Sequence, residues 1–510
     1  WRGVRTPVTF GAPVAAHSVA FVANDERPAF LAALPPATGP ALRLMTHPAD
    51  NRSKLLLVLG RDGADLKAAA DALVTGGIAM SGPSVQVKRV EEKGPLQPYE
   101  APAWVPLDRA VKLGELIDWA QQLEASGRAP DLDPVRVDLR MPPDLATWRG
   151  PGVPMTLKLQ YTPPACVSEG YLDVSINDEL LETQRLRIAN EPIVATKEIF
   201  IPFYRVRSRS ELAFGFRFAL KDEAQCRDAR APIVKAAVLP ESTIDFSGFP
   251  HYARMPNLAH FAAIGFPFTR RADLSETVVV LPEKPVAADI EAMLALMARM
   301  GEATGRPATR VRVATPKDAT ALEGADLLVI GASPQQALLD KWADGLPIAL
   351  SGSVRRVSRS AVRLDGVFDW LGVGAPADTT VASQVSFEGT GPVAALYGFE
   401  SPVSSGRSVV AVTAIVPEQL ARVIDALDDR QMRRAIKGSA AFVLAGKVQS
   451  VLVGPTYHVG YLPPWTGAGY WISQHSEVFG VALTLVLIAM GYGAYVVKNR
   501  IAAWRARRRP

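Results

Sequence analysis

Lys54-Leu55-Leu56-Leu57-Val58-Leu59-Gly60 is a run of apolar residues of strand length, and a segment with helical periodicity follows it. Asp62 can cap this segment, and Gly76 and Gly77 can end it. Its apolar positions recur at helical spacing: Leu66, Ala69, Ala70 and Leu73. A strand that is apolar on both faces and is followed by a helix indicates a parallel sheet covered by helices. Residues 1–100 are therefore predicted to form a flavodoxin-like α/β domain.

The same pattern recurs far along the chain. Segments 44–48 and 55–59 correspond, at a constant offset, to segments 398–402 and 408–413. The second copy opens with an additional strand at 277–281 and a helical stripe that the first copy lacks. We therefore expect two α/β domains of one type, at 1–100 and 251–456, and we expect the first to be incomplete at its start.

Between the copies the sequence changes to short strands in which apolar and polar residues alternate. Phe214, Phe216 and Phe218 show this alternation most clearly. Such strands, separated by Pro, Gly, Asn and Asp, indicate an antiparallel sandwich of the jelly-roll type. Apolar residues within 113–123 have the spacing of an amphipathic helix. Residues 101–250 are thus predicted to be a linker helix followed by a jelly-roll domain.

Residues 478–497 contain no charged residue. At 1.5 Å per residue, about twenty apolar residues span a hydrocarbon core of roughly 30 Å, whereas a buried core helix is usually shorter and partly polar. Basic residues remain on the cytoplasmic side, so the tail 498–510 is expected inside and the bulk of the chain outside. This tail carries six cations: Lys498, Arg500, Arg505, Arg507, Arg508 and Arg509.

Two further features surround this predicted transmembrane helix. Trp465, Tyr470 and Trp471 lie in residues 457–477, just outside it, where amphipathic rings favour the membrane interface, so an interfacial helix is expected there. Small residues allow helices to pack closely in lipid, which makes the segment a candidate partner-binding helix as well as an anchor. The three glycines considered for this contact are Gly480, Gly491 and Gly493.

Charge and cysteine content limit the classes of function. The net charge of +5 is more than accounted for by the basic tail, and no basic patch with interleaved aromatic residues occurs, so nucleic-acid binding is not expected. Cys166 and Cys226 are the only cysteines. In an oxidising compartment they can form one disulfide across a loop of about sixty residues, and two free thiols are the alternative.

The sequence contains no motif that would support catalysis. It has no phosphate-binding glycine loop, no His-Glu-x-x-His sequence and no metal-ligand spacing, so neither a cofactor nor a metal is predicted. Asp144 and the pair Asp273 and Glu276 are candidate glycosidase carboxylates, but they lie in different segments, and solvated turn acids or helix caps explain them better. Trp148 and Tyr204 are candidates for stacking on sugars, with hydrophobic edge cover as the alternative.

The collinear set of segments resembles the periplasmic regulatory (B) subunit of bacterial cellulose synthase. The likeness covers essentially the whole chain and rests on Trp1-Arg2-Gly3, Asn24-Asp25-Glu26-Arg27-Pro28, His47-Pro48, Leu59-Gly60-Arg61-Asp62, Pro142-Pro143-Asp144-Leu145, Asp245-Phe246-Ser247, Met255-Pro256-Asn257-Leu258, Gly265-Phe266-Pro267-Phe268-Thr269-Arg270 and Tyr457-His458-Val459-Gly460-Tyr461-Leu462-Pro463.

The resemblance implies two jelly-roll carbohydrate-binding domains that alternate with two structural flavodoxin-like domains, of which the first jelly roll is absent here. It also implies a single-pass anchor in the inner membrane with the bulk of the chain in the periplasm. The resemblance further implies a catalytic partner subunit that polymerises glucose from UDP-glucose under cyclic di-GMP activation, and this chain is expected to support that subunit and to guide nascent cellulose. Direct cyclic di-GMP binding is not expected, because only the basic tail is cytoplasmic. Self-association is left open. The alternatives are a membrane-tethered carbohydrate-active enzyme and a purely structural adaptor.

Overall fold

The computed structural model describes most of the chain. The described residues are 5–11, 16–76, 81–88, 94–102, 104–117, 119–128, 132–146, 152–163, 167–189, 191–220, 233–332, 335–342, 348–351, 354–357, 393–444, 446–474 and 476–506.

The first α/β domain is a four-stranded sheet with one described helix. Its elements are β1 (Ser18–Ala23), β2 (Ala41–His47), β3 (Asp50–Gly60), α1 (Gly63–Thr75) and β4 (Ser84–Gln86), and the strand order is β1-β3-β2-β4. Strand β1 runs parallel to β3, whereas β2 is antiparallel to both β3 and β4. The prediction of a wholly parallel sheet is therefore wrong. Pro48 and Ala49 connect β2 to β3, and so short a connection can join only antiparallel strands.

Helix α1 begins and ends as the sequence predicts. The Asp62 side chain accepts a hydrogen bond from the Asp65 backbone N–H at 3.0 Å, and Gly76 adopts the left-handed conformation with φ of 65°. Helix α1 packs on one face of the sheet, and the segment around Leu31 packs on the other. The apolar run 55–59 is thus covered on both sides.

The middle of the chain forms two antiparallel sheets around one core. The strands are β5 (Ala110–Lys112), β6 (Glu124–Arg128), β7 (Val135–Arg140), β8 (Val153–Thr162), β9 (Val167–Ile176), β10 (Glu179–Leu186), β11 (Ile193–Ile201), β12 (Arg209–Leu220), β13 (Ile233–Val238) and β14 (Thr243–Asp245). One sheet has the order β10-β9-β12-β7, and the other has β5-β14-β8-β13-β6 with β11 also paired to β8. Phe214, Phe216 and Phe218 are fully buried against side chains of the second sheet, as their alternation predicts.

The predicted linker helix within 113–123 is not formed. The chain makes two 3₁₀ turns, Leu113–Glu115 and Ala120–Leu123, and then enters β6. The reason is tertiary: the backbone N–H groups of Leu113 and Gly114 donate to the carbonyls of Ser242 and Pro240. A Cβ atom at Gly114 would lie 2.8 Å from the Cβ of Pro240, so this approach depends on glycine. The apolar spacing reflects side chains that enter the sandwich core.

The second α/β domain contains a seven-stranded mixed sheet. Its elements, with those that follow it, are β15 (Tyr252–Met255), α2 (Leu258–Ile264), β16 (Thr277–Val280), α3 (Ala287–Thr304), β17 (Arg312–Ala314), α4 (Ala319–Leu322), β18 (Asp326–Ile330), α5 (Ala337–Lys341), β19 (Ile348–Ser351), β20 (Val354–Val357), β21 (Val393–Glu400), β22 (Ser408–Ala414), α6 (Leu420–Asp428), α7 (Arg430–Ala435), β23 (Ala440–Leu444), β24 (Lys447–Val451), β25 (Tyr457–Gly460), α8 (Pro464–Gln474) and α9 (Ser476–Ala506). The order is β17-β16-β18-β22-β21-β23-β24, and the first four of these strands are parallel.

The internal repeat is confirmed by the strand pairing. In the first domain β1 is parallel to β3 and β3 is antiparallel to β2, and in the second domain β18, β22 and β21 are related in the same way. The second sheet continues past β18 with β16 and β17, which confirms its additional strand. Because β1 lies at the edge of the described sheet, Val19 and Phe21 are 55% and 62% exposed, whereas β18 is buried throughout.

The chain ends in two consecutive helices. Helix α8 lies within residues 457–477, for which an interfacial helix is predicted, and α9 contains residues 478–497 and continues into the basic tail. Within the described residues, no helix combines the length and the apolarity of a membrane span. The prediction of a transmembrane helix is therefore not confirmed by this criterion.

Replacement of Phe216 by alanine tests the sandwich core. The substitution removes a fully buried ring from between the two sheets, and it is expected to lower the free energy of unfolding of the sandwich by about 3–5 kcal/mol. Phe200→Ala is the matched control, because the Phe200 ring is 57% exposed on β11. Thermal unfolding of the detergent-solubilised chain measures both, and equal effects would contradict the assignment of Phe216 to the core.

Candidate functional site

Tyr204, a predicted sugar-stacking residue, lies in a 3₁₀ turn (Phe203–Arg205) between β11 and β12. Its side chain is 67% exposed. The Phe203 ring packs against the sandwich core and meets the Tyr204 ring edge-on, with 5.8 Å between centroids. The Arg205 guanidinium lies 5.6 Å from the Tyr204 centroid. These neighbours orient the ring, so it forms an aromatic surface whose conformational freedom is already restricted before any ligand binds.

Polar groups hold this turn and border the exposed ring. Asn177 donates a hydrogen bond to the Arg205 carbonyl at 3.0 Å, and the Arg205 side chain forms an ion pair with Glu179. Arg207 lies 3.7 Å from the same carboxylate. An aromatic face bordered by charged hydrogen-bonding groups has the composition needed to bind a sugar, whose ring faces are apolar and whose edges carry hydroxyls.

The other predicted site residues are distributed elsewhere. Trp148, Cys166 and Cys226 lie outside the described residues. Gly480, Gly491 and Gly493 lie on α9, where a Cβ atom built at any of them would meet no atom of the described residues within 4 Å beyond its own stretch of helix. At about 100° per residue, Gly480 and Gly491 point about 20° apart, whereas Gly493 is about 200° further round. Only Gly480 and Gly491 can therefore share one helix face.

Asp144 forms a buried polar cluster that the sequence analysis did not predict. The Asp144 carboxyl is 1% exposed and accepts a hydrogen bond from the Tyr99 hydroxyl, and its Oδ1 lies 3.2 Å from Nδ1 of His251. The Tyr99 and His251 rings stack at 3.6 Å between centroids. Burial raises the pKa of the Tyr99 hydroxyl, and the adjacent carboxylate raises it further, so the hydroxyl stays protonated and donates. The interpretation of Asp144 as a solvated acid or cap is wrong.

No sequence signal could have identified this cluster. Tyr99 and His251 are 45 and 107 residues from Asp144 along the chain, so spacing carries no information about their contact. The burial of a carboxylate requires partners that satisfy its oxygens, and the fold brings these partners from the linker and from the start of the second α/β domain. The cluster joins three segments and leaves no oxygen of Asp144 directed at an open cleft.

Glu276 is the centre of an ion-pair network. Its carboxylate accepts hydrogen bonds from Arg270, Arg271 and Arg407, and Arg407 also lies 3.3 Å from Asp326. Burial opposes ionisation of Glu276, but the bonds from the three guanidinium groups outweigh it and lower the pKa to about 2. A glycosidase acid needs a raised pKa. Glu276 is therefore ionised at neutral pH and is not suited to act as a general acid.

The carboxyl ends of the parallel strands, where open α/β sheets bind ligands, are closed by Gln336. This side chain is 1% exposed, and its amide nitrogen donates to the carbonyls of Val280 at 3.2 Å and Ile330 at 2.8 Å. These carbonyls end β16 and β18, between which the strand order reverses. A mononucleotide at this position would have to displace Gln336, which gives a physical reason for the lack of a phosphate loop in the sequence.

Helix α8 is docked on the two-stranded ribbon of β15 and β25. The rings of Tyr252 and His458 stack at 4.9 Å across the ribbon, and the Tyr470 ring meets Tyr252 edge-on at 5.4 Å. Trp465 and Trp471 on the same helix remain 91% and 55% exposed. Tyr470 thus packs against both rings of the ribbon, since it also meets His458 edge-on at 6.3 Å, while the two tryptophans present large amphipathic rings outward.

Comparison with known proteins places this architecture in one family. Family models described as "Cellulose synthase BcsB, first FD domain", "second CBM domain" and "second FD domain" match residues 1–87, 110–243 and 251–412. A cyclic di-GMP-binding protein of Pseudomonas fluorescens (strain SBW25) is 34% identical over 100% of this chain and 69% of its own length. The proteins of the same name from Salmonella typhi and Escherichia coli (strain K12) are 35% and 32% identical, over 96% of this chain and 65% and 64% of their own lengths. The chain thus spans about two thirds of these relatives.

Removal of the Glu276 charge is expected to change the pH dependence of stability. Because folding lowers the pKa of Glu276 from 4.5 to about 2, its ionised form stabilises the folded chain above pH 4.5, and this contribution of about 3 kcal/mol is lost as the pH falls towards 2. Glu276→Gln should lower the free energy of unfolding at pH 7 by about 3–5 kcal/mol, because three guanidinium groups lose the carboxylate that they share. It should also make the dependence between pH 5 and pH 2 shallower.

Denaturant unfolding at several pH values measures this effect. Glu283→Gln is the matched control, since the ion pair of Glu283 with Lys317 is at the surface and should contribute about 0–1 kcal/mol. A Glu276→Gln variant with the wild-type pH profile would show that the network does not hold this carboxylate in its ionised form.

Proposed function

The chain belongs to the BcsB family of cellulose synthase subunits, and from this we propose that it is a non-catalytic, membrane-anchored periplasmic subunit. In this role it supports the catalytic subunit and guides the nascent glucan across the periplasm. Family membership supports an accessory subunit of cellulose synthase. The anchor, the topology and the contact with glucan are the added parts of the proposal, and each rests on a separate observation.

The anchor is supported by the surface of α9. Leu485, Val486, Leu487 and Ile488 are consecutive, so they point to all sides of the helix, and each is more than half exposed. A helix that is apolar all round is stable when lipid or protein covers it. The exposed tryptophans of α8 lie just ahead, where the membrane interface would be. This exposed apolar helix is the observation that carries the proposal.

The face that bears Gly480 and Gly491 is the proposed contact with the transmembrane region of the catalytic subunit. Small side chains allow two helix backbones to approach closely, which is a main source of helix association in lipid. Both glycines are open to a neighbour. Self-association of the chain through the same face is the alternative, and co-purification with the catalytic subunit distinguishes it from contact with that subunit.

The relatives carry the name cyclic di-GMP-binding protein, and we propose that this chain is associated with cyclic di-GMP through its catalytic partner. In the proposed topology only the tail, residues 498–510, is on the cytoplasmic side, where the nucleotide is made. The Gln336 side chain also fills the crevice in which a nucleotide would enter the second α/β domain. Calorimetric titration of the purified chain with cyclic di-GMP is expected to give no binding signal in the absence of the catalytic subunit.

A truncation tests the anchor. Removal of residues 478–510 is expected to abolish UDP-glucose-dependent glucan synthesis in vesicles that contain the catalytic subunit, because the truncated chain no longer associates with it. Gly491→Leu should weaken co-purification, whereas Gly493→Leu, the matched control on the opposite side of the helix, should not. Full synthesis by the truncated chain would rule out an obligatory anchor, and equal effects of the two leucines would rule out the proposed face.

Replacement of Tyr204 tests glucan contact and separates this function from that of a purely structural adaptor. Tyr204→Ala should weaken binding of cello-oligosaccharides about two- to tenfold, since an aromatic contact contributes roughly 0.5–1.5 kcal/mol. Tyr204→Phe should keep most of the affinity, because the ring face is retained. Trp119→Ala removes another exposed ring of the same domain and serves as the control. Unchanged affinity in Tyr204→Ala would favour the adaptor, or a glucan path over other residues.

A further inference from the structure

A cleft of about 470 Å³ lies where the first α/β domain faces the second. One wall is helix α1, which contributes Lys67. The other wall is formed by the loop before β16, with Arg271, Ser275 and Glu276, and by the segment that leads into β17, with Arg310 and Arg312. None of the lining residues named for this cleft belongs to the Tyr204 turn or to α9, so neither part of the proposed function uses it.

The charged groups of this cleft are unbalanced. Four of its side chains are cationic and only Glu276 is acidic. The Glu276 carboxylate is already shared among three guanidinium groups, so it cannot neutralise the others. Arg310 is 4.0 Å from Asp273, a long ion pair. Among the described residues, Arg312 forms no ion pair.

The geometry brings these cations together instead of spreading them over the surface. Arg312 begins β17 and Arg310 lies in the turn just before it, and both line the cleft. Lys67 approaches from the opposite domain, although its ammonium also contacts Asp71 one helical turn away. Like charges held this close repel one another unless an anion occupies the space between them.

A second, independent observation marks the same place. Ser275 is partly buried in the lining of the cleft, and its Oγ, which is shielded from solvent, has no hydrogen-bond partner in the described part of the chain. A buried hydroxyl without a partner costs roughly 1–3 kcal/mol in stability, so such groups usually meet a ligand or water. In the wall of this cleft the hydroxyl is an unused neutral donor beside the cationic ones.

We propose that this interdomain cleft binds an organic phosphate. Donors come from three segments and from two facing walls, and a tetrahedral phosphate can accept hydrogen bonds from several directions, whereas a carboxylate accepts in one plane. The volume falls in the range of small-molecule sites, about 300–1,000 Å³, so it leaves room for an organic group attached to the phosphate. The ligand would join the two α/β domains, since its donors belong to both.

Titration of the full chain in phosphatidylcholine nanodiscs tests the site. Inorganic phosphate, glycerol 1-phosphate and glycerol are the probes, and calorimetry gives the affinities. Glycerol 1-phosphate should bind more tightly than inorganic phosphate, glycerol should not bind, and added salt should weaken both phosphates. The phosphate could belong to a lipid headgroup or to a soluble ester, and repetition of the titration in nanodiscs that contain phosphatidylglycerol distinguishes the two. Loss of glycerol 1-phosphate binding in these nanodiscs would assign the site to a lipid phosphate. Retained binding would assign it to a soluble ester.

Substitutions on the two walls provide the structural test. Arg312→Gln and Arg310→Gln should each weaken glycerol 1-phosphate about tenfold or more, because each removes a charged donor. Lys67→Gln should weaken it as well, which would show that both domains take part. Arg187→Gln, at an exposed position in the sandwich, is the matched control and should change nothing.

Retained folding of these variants can be checked by their unfolding temperatures, and Arg312 is at an exposed edge strand where its loss should not disturb packing. If glycerol 1-phosphate does not bind at millimolar concentration, or binds Arg312→Gln and Arg310→Gln as it binds the wild type, the proposal is overturned. Binding that depends on Arg310 and Arg312 but not on Lys67 would overturn the bridging of the two domains and leave a site on the second domain alone.

Discussion

The buried carboxylate of Asp144 is the interaction on which the arrangement of the chain depends. It is removed from water, so it must be satisfied by partners, and these are the Tyr99 hydroxyl and the His251 ring. The Asp144 backbone carbonyl accepts from the Tyr252 N–H at 2.6 Å, which fixes the start of β15. Strand β15 in turn positions β25, and β25 leads directly into α8. The series of contacts that connects the sandwich to the proposed membrane segment therefore begins at Asp144.

Local sequence pattern predicts the secondary structure correctly wherever it agrees with the tertiary structure. The long strands of the sandwich such as β8 and β12, helix α1 with its cap at Asp62, and the repeated α/β unit follow from periodicity and turn residues, because there the burial imposed by the tertiary structure has the same period as the local pattern. Constant sequence offsets alone indicate the repeat, and the parallel pairing of β18 with β22 confirms it.

Local sequence pattern does not predict the structure where contacts with distant parts of the chain determine it. Residues 113–123 have helical spacing, but their N–H groups bond to the 240–242 segment, and these bonds replace a helix. The β2–β3 connection through Pro48 and Ala49 is too short for a parallel crossover, a feature that apolar composition alone does not show. Asp144 looks like any turn acid in sequence, since nothing nearby indicates that Tyr99 and His251 will cover it. The proposed phosphate cleft is equally invisible to local sequence pattern, because its donors come from two domains.

The pairing of β15 with β25 has a mechanical consequence. The chain enters the second α/β domain through Tyr252 and leaves it at Gly460, and these two residues are partners at the same end of the ribbon. Just outside them, the Tyr461 N–H bonds to the His251 carbonyl at 2.8 Å. Force applied between the sandwich and the C-terminal helices is therefore transmitted through the Tyr252–Gly460 end of the ribbon and does not pass through the rest of the second α/β domain. The roughly two hundred residues between Tyr252 and Gly460 experience no force until the hydrogen bonds of the ribbon break one after another from the Tyr252–Gly460 end.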